Sequence, residues 1–176
     1  ALLAALLIKL TDGGPVFFWQ KRVGRHGRQF DFPKLRSMVV DAAEQRGQLE
    51  GKNKHGRGIT FKMRQDPRIT SVGRVIRRLS IDELPQLWNV LVGDMTLVGP
   101  RPALPSEVVR YSQAERRRLD VTPGLTCLWQ VSGRADLPFE KQVHLDVSYI
   151  EERSLWMDLS ILVKTVPAVL TGRGAY

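Results

Sequence analysis

Residues 66–102 read DPRITSVGRVIRRLSIDELPQLWNVLVGDMTLVGPRP. Arg68, Arg74, Arg77 and Arg78 lead into two adjacent carboxylates, Asp82 and Glu83, at the start of an apolar pattern of helical spacing: Leu84, Leu87, Trp88 and Leu91. Ser80 with Glu83 three positions on fits a capping box, and acids in a first helical turn are favoured by the helix dipole. Adjacent residues of a helix project about 100° apart, however, so the two carboxylates cannot share one capping role. One is left for other work. Downstream, residues 95–98 read as a strand, and Gly99-Pro100-Arg101-Pro102 follows. Two prolines restrict the backbone around Arg101, and a fixed guanidinium fork suits bidentate phosphate recognition; a plain proline turn with an exposed arginine is the other reading.

Composition bounds what the rest of the chain does. At 176 residues and 43% hydrophobic, the sequence supports a core of its own and reads most simply as one domain. A formal net charge of +9 asks for an anionic partner: nucleic acid, lipid headgroups and nucleotide diphosphates all qualify. Cys127 is the single cysteine, which excludes an intramolecular disulfide, fits a reducing compartment and rules out a zinc site built on several cysteines. His26, His55 and His144 show no ligand spacing and read as surface or loop residues. A basic nucleic-acid-binding module is the alternative function. It predicts aromatics interleaved with the basic clusters, and Phe30 and Phe32 are the only aromatics in the first of them.

Outside the central stretch, the chain opens on ALLAALLIKL, followed by Thr11-Asp12-Gly13-Gly14-Pro15. Ten apolar residues fall short of the roughly 20 that cross a bilayer. Both a buried core helix and the last half of a membrane-embedded segment fit. Residues 16–20, β-branched and aromatic, read as a strand, and Gly24 and Gly27 place a turn before a second one. Lys21, Arg22, Arg25, Arg28, Lys34 and Arg36 make this region basic; Lys62, Arg64, Arg68, Arg74, Arg77 and Arg78 form a second cluster. Residues 41–60 are polar and read as a short helix running into a mobile loop. Residues 122–126 and 131–134 flank Trp129 with glycine turns. The last helix, around residues 156–167, is mostly apolar with Trp156 near its start, fitting a core helix or one lying in a membrane interface. Phosphate loop, GxGxxG, zinc-protease helix and nucleophile-elbow motifs do not occur.

The ordered series GPVFFWQKRVG, KLRSM, residues 66–102, TPGLTCLWQVSGR and LDVSYIEERSLWMDLSILVKT resembles the bacterial sugar transferases, the monotopic phosphoglycosyl transferases, nearly end to end. The resemblance implies an α/β (α+β) fold, mostly helical around a small sheet, with interfacial amphipathic helices. Residues 1–12 would be the returning half of a re-entrant membrane helix and residues 13–176 the catalytic domain. It implies transfer of sugar 1-phosphate from a UDP-sugar to polyprenyl (undecaprenyl) phosphate, with loss of UMP, at the cytoplasmic face of the bacterial inner membrane, starting an exopolysaccharide, capsule or O-antigen. Asp82 matches the nucleophile that forms an aspartyl phosphosugar, and Glu83 the partner that helps hold Mg2+. Lys34, Arg36, Arg77, Arg101 and Arg134 match basic positions expected to bind phosphate. Nucleic acid is not an implied partner, and oligomeric state, a homodimer included, stays open. Leu35 and Cys127 stand where the family often has Phe and Gly. Neither departure touches the carboxylates.

Overall fold

The computed structural model describes residues 2–49, 59, 63, 65–172 and 174. It is a mixed α/β fold, dominated by helices, with two small two-stranded sheets. Strand β1 (Phe17–Val23) returns as antiparallel β2 (Gln29–Leu35) through the expected glycine turn, where Gly24 N–H donates to the Arg28 carbonyl at 2.8 Å. Residues directly opposite share a sheet face, so Phe18, Gln20 and Arg22 lie on the face of Lys34, Phe32 and Phe30.

Helix α1 (Leu2–Asp12) rests Ala4 and Ile8 on Leu35 and on Ile76 of α3 (Ser71–Arg78). Its remaining leucines, Leu2, Leu3, Leu6, Leu7 and Leu10, are exposed. Helix α2 (Ala42–Leu49) matches the short helix expected there. The loop expected beyond it, with Lys62, Arg64 and His55, lies outside the described residues. Thr70 caps α3 by accepting from Gly73 N–H at 2.9 Å, and α3 approaches the Ser37 backbone so closely that a Cβ on Gly73 would sit 1.8 Å from the Ser37 carbonyl oxygen.

Ser80 does not act as the expected cap. Its backbone is left-handed (φ 53°, ψ 22°), its hydroxyl makes no capping bond, and Glu83 turns to other partners. Residues Ile81–Gln86 form a 3-10 helix with Pro85 inside it, continued by α4 (Leu87–Leu91). This segment is inverted relative to a water-soluble helix. Asp82, Gln86 and Asn89 are buried, while Leu84, Leu87, Trp88, Leu91 and Val92 are exposed, Leu91 by 79%.

Strand β3 (Thr96–Val98) pairs in parallel with β4 (Gly124–Thr126). Gly124 N–H donates to the Pro100 carbonyl at 3.0 Å, and a Cβ at Gly124 would lie 2.0 Å from Gly99 N, so only glycine admits this approach. The pairing fixes the turn that carries Arg101. Helices α5 (Pro105–Val108), α6 (Gln113–Arg116) and α7 (Leu128–Ser132) are short, whereas α8 (Phe139–Glu152) and α9 (Leu155–Thr171) are long. Helix α8 buries Phe139 and Val143 against Ala103 and Tyr111. Helix α9 is no core helix: Ile161 is its one fully buried residue, and Trp156 is 80% exposed along with Leu155, Val163, Val166 and Leu170. No helix among the described residues is long and apolar enough to cross a membrane.

Candidate active site

The two carboxylates of the 3-10 helix have opposite surroundings. Glu83 Oε1 accepts from Lys34 Nζ at 2.8 Å and from Arg101 Nη2 at 2.5 Å, while Oε2 is met, among the described residues, only by Arg101 Nη1 at 3.4 Å. The hairpin supplies the lysine and the Gly-Pro-Arg-Pro turn supplies the arginine. Asp82 is buried and Glu83 half-buried, yet no described residue donates a hydrogen bond to the Asp82 carboxylate. The two carboxylates, adjacent in sequence, are thus given different chemistry by the fold.

Their acidities diverge accordingly. Burial raises the Asp82 pKa above the ordinary carboxylate value, with Glu83 adding to the rise and Lys34, Arg77 and Arg101 opposing it. Burial also works to raise Glu83, but Arg101 and Lys34, through charge and hydrogen bonds, hold it well below the usual range. Burial lowers the Lys34 pKa, with Glu83 opposing. Arg101 gains from Glu83 more than burial takes, and its pKa rises. Glu83 is therefore a fixed anion in a cationic clamp, and Asp82 is a desolvated carboxylate with open oxygens.

Of the other expected phosphate ligands, Arg77 lies near enough to oppose the rise at Asp82. Arg134, left-handed at φ 51°, donates from Nη2 to Ser80 Oγ at 3.4 Å; burial lowers its pKa, with Glu83 opposing. Arg36 departs from expectation. Its guanidinium pairs with both Asp12 oxygens and donates to the Pro15 carbonyl at 2.6 Å and the Met38 carbonyl at 3.3 Å. Salt-bridged to Asp12, Arg36 ties the end of α1 to the hairpin instead of facing the dyad.

A second buried ion pair had no counterpart in the sequence reading. Arg118 donates from Nε to Asp146 Oδ2 at 2.8 Å and from Nη1 to Tyr111 Oη at 2.9 Å. Burial pushes the Asp146 pKa up to about 6 against the opposing pull of Arg118. The sole signal was an acid on the apolar stripe of α8, one turn after Val143. His26 and His144 are exposed, as expected. Cys127 is buried, and burial pushes its thiol well above its usual pKa.

The residues present suit a magnesium ion shared with a substrate. Among the described residues no group of three or more His, Cys, Asp or Glu side chains gathers to cage a metal. Mg2+ commonly takes one or two carboxylates and completes its shell with water and substrate phosphates. Asp82 and the loosely held Oε2 of Glu83 offer that set.

A carboxylate pair framed by half-buried cations thus sits on a mixed α/β scaffold. Residues 1–172 match the family described as bacterial sugar transferase, and the chain belongs to that family. It is 51% identical to the galactosyl transferase CpsE of Streptococcus agalactiae, aligning 93% of this chain with 36% of that protein. It is 47% identical to the undecaprenyl-phosphate galactose phosphotransferase of Salmonella typhimurium, over 99% of this chain and 38% of the relative. With the exopolysaccharide production protein ExoY of Rhizobium meliloti it shares 42% identity, over 99% of this chain and 79% of the relative. The chain thus spans less than two-fifths of the length of the first two relatives.

Proposed function

We propose that the protein transfers a sugar 1-phosphate from a UDP-sugar to undecaprenyl phosphate through a covalent intermediate on Asp82. The observation that carries this reading is the split pair: a buried Asp82 carboxylate, with no hydrogen bond from any described residue, beside a Glu83 fixed by Lys34 and Arg101. An Asp82 oxygen attacks the β-phosphorus; the new P–O bond forms as the bond to the oxygen bridging the two phosphates breaks, and UMP leaves. An oxygen of the lipid phosphate then attacks the same phosphorus. The aspartyl bond breaks, yielding the diphosphate-linked lipid sugar and restoring the carboxylate. Splitting the transfer avoids bringing two anionic substrates together at once.

Lys34 and Arg101 anchor Glu83 and, with Arg77 and Arg134, supply positive charge for the diphosphate. Mg2+, held by Glu83 Oε2 and by Asp82 before attack, would neutralise charge on the diphosphate. The exposed leucines of α1, the apolar outer face of residues 84–92 and the apolar face of α9 would lie in the membrane on its cytoplasmic side, residues 1–12 being the membrane segment and 13–176 the catalytic part. Two relatives are named for galactose, so UDP-galactose is the first donor to try. UMP release, measured with undecaprenyl phosphate and Mg2+ across UDP-galactose, UDP-glucose and their N-acetylated analogues, tests the reading. One donor should release UMP, and Asp82→Asn should stop it; undiminished release by Asp82→Asn excludes the nucleophile.

A further inference from the structure

Arg22 lies at the edge of this cluster with no described acid bonded to it. The hairpin register puts it on the face of Lys34, and the two cations flank one ring: Arg22 Cζ lies 5.1 Å and Lys34 Nζ 5.4 Å from the Phe32 centroid. Val23 N–H donates to the Ala103 carbonyl at 2.9 Å, drawing the end of β1 against the turn that holds Arg101. Arg22 itself donates to the Pro102 carbonyl at 3.1 Å and to Gln20 Oε1 at 2.9 Å. Both acceptors are neutral, and its buried Nε has no partner.

Arg101, Arg36, Arg118 and Arg68 each meet a carboxylate, on Glu83, Asp12, Asp146 and Asp66, whereas Arg22 shares with Arg134 a buried Nε without a partner and hydrogen bonds to neutral acceptors. No described carboxylate forms an ion pair with Arg22. Burial, and next the nearby charge of Arg101, push its pKa down to about 10, so it remains a cation at neutral pH. A half-buried cation beside a like charge, hydrogen-bonded only to a carbonyl and an amide while Glu107 and Glu83 act on it through space without an ion pair, costs stability. Stability lost at such a position is usual where function needs the group.

We propose that Arg22 is a further substrate ligand, receiving the diphosphate of the nucleotide sugar together with Arg101 and Lys34. The anion supplies the charge that the fold withholds. The identity of the anion as a nucleotide-sugar diphosphate rests on the proposed function; the anion site itself does not.

The competing role is a brace, in which Arg22 merely holds the Pro102 carbonyl. Arg22→Met keeps the stem against Phe32 and removes the charge, and Arg22→Lys keeps the charge without the fork. Thermal unfolding of the purified chain, with and without inorganic pyrophosphate, separates the roles. A ligand receives an anion, so Arg22→Met should melt no lower than wild type when unliganded, yet lose most of the pyrophosphate-induced rise in Tm. Arg22→Lys should keep part of that rise. KM for the UDP-sugar should increase about tenfold or more in Arg22→Met, the scale of a lost charge-assisted bond. An unliganded Arg22→Met that melts lower while keeping the full pyrophosphate response would overturn the proposal in favour of a brace. If wild type releases UMP and Arg22→Met has an unchanged KM, the Arg22 assignment fails and the transferase reading stands. If wild type releases no UMP but Arg22→Met still loses the pyrophosphate response, the anion site stands and the transferase reading fails.

Discussion

Helix α8 and the segment of residues 81–92 carry similar apolar patterns and use them in opposite ways. Helix α8 turns Phe139, Val143 and Tyr149 inward and admits an acid, Asp146, only with Arg118 bonded to it. The 81–92 segment turns Asp82, Gln86 and Asn89 inward and shows its leucines and Trp88 to the outside. In the first case apolar burial holds a charge pair in place. In the second, the inward side is polar, with Asp82 under the charges of Lys34 and Arg101, and the apolar side chains are turned outward. The carboxamide of Gln86, fully buried and without a partner on either polar atom, shows how polar this inner face is.

The largest contrast should come from cutting the α8 ion pair. Arg118→Met strands the buried Asp146 carboxylate and should cost about 3–5 kcal/mol in urea unfolding. Adding Asp146→Leu should recover much of the loss. Placing a charge on the outer face of the other segment should do the reverse. Leu91→Glu should shift stability in detergent by no more than about 0.5 kcal/mol, because the side chain packs on little. It should nevertheless weaken liposome sedimentation about tenfold or more, the scale of one exposed leucine leaving an apolar phase. Equal unfolding penalties for Leu91→Glu and Val143→Glu would erase the distinction between the two regions.

A smaller effect is expected in the pH profile. Asp82 must be ionised to attack, so kcat/KM should fall as pH drops through its raised pKa. Lys34 is the foremost charge holding that pKa down, so Lys34→Met should move the acid limb to higher pH. A limb that stays in place or moves to lower pH contradicts the assignment. The smallest change is Ser80→Gly, which relieves a left-handed serine at the cost of a 3.4 Å contact to Arg134. Its stability should change by no more than about 1 kcal/mol, toward greater stability.

Much of the architecture was legible because it rests on local chemistry. The β-branched and aromatic run of residues 16–20, with Gly24 and Gly27 after it, announced the hairpin, and residues 95–98 announced β3. Strand β4 was not legible: three residues including Gly124 look like a turn until Gly99 lies against them. Periodicity in residues 84–91 showed which side chains share a face, but it carries no information on which face meets water. The capping box at Ser80 failed because Lys34 and Arg101, remote in sequence, outcompete one backbone N–H for Glu83. The pairing of Arg36 with Asp12 was not legible for a related reason, since no local pattern announces a partner so distant. Arg22 did leave a trace. Period-two alternation sets Gln20 and Arg22 opposite Trp19 and Lys21, a polar pair on the covered face of a hairpin.

The most direct measurement is mass spectrometry of the purified protein after incubation with its UDP-sugar and Mg2+ in the absence of lipid. A phosphosugar is expected on the peptide containing Asp82, lost on addition of undecaprenyl phosphate and absent from Asp82→Asn. Lipid-linked product formed at full rate while Asp82 stays unmodified, or a phosphosugar attached to another residue, would contradict the assignment of Asp82 as nucleophile.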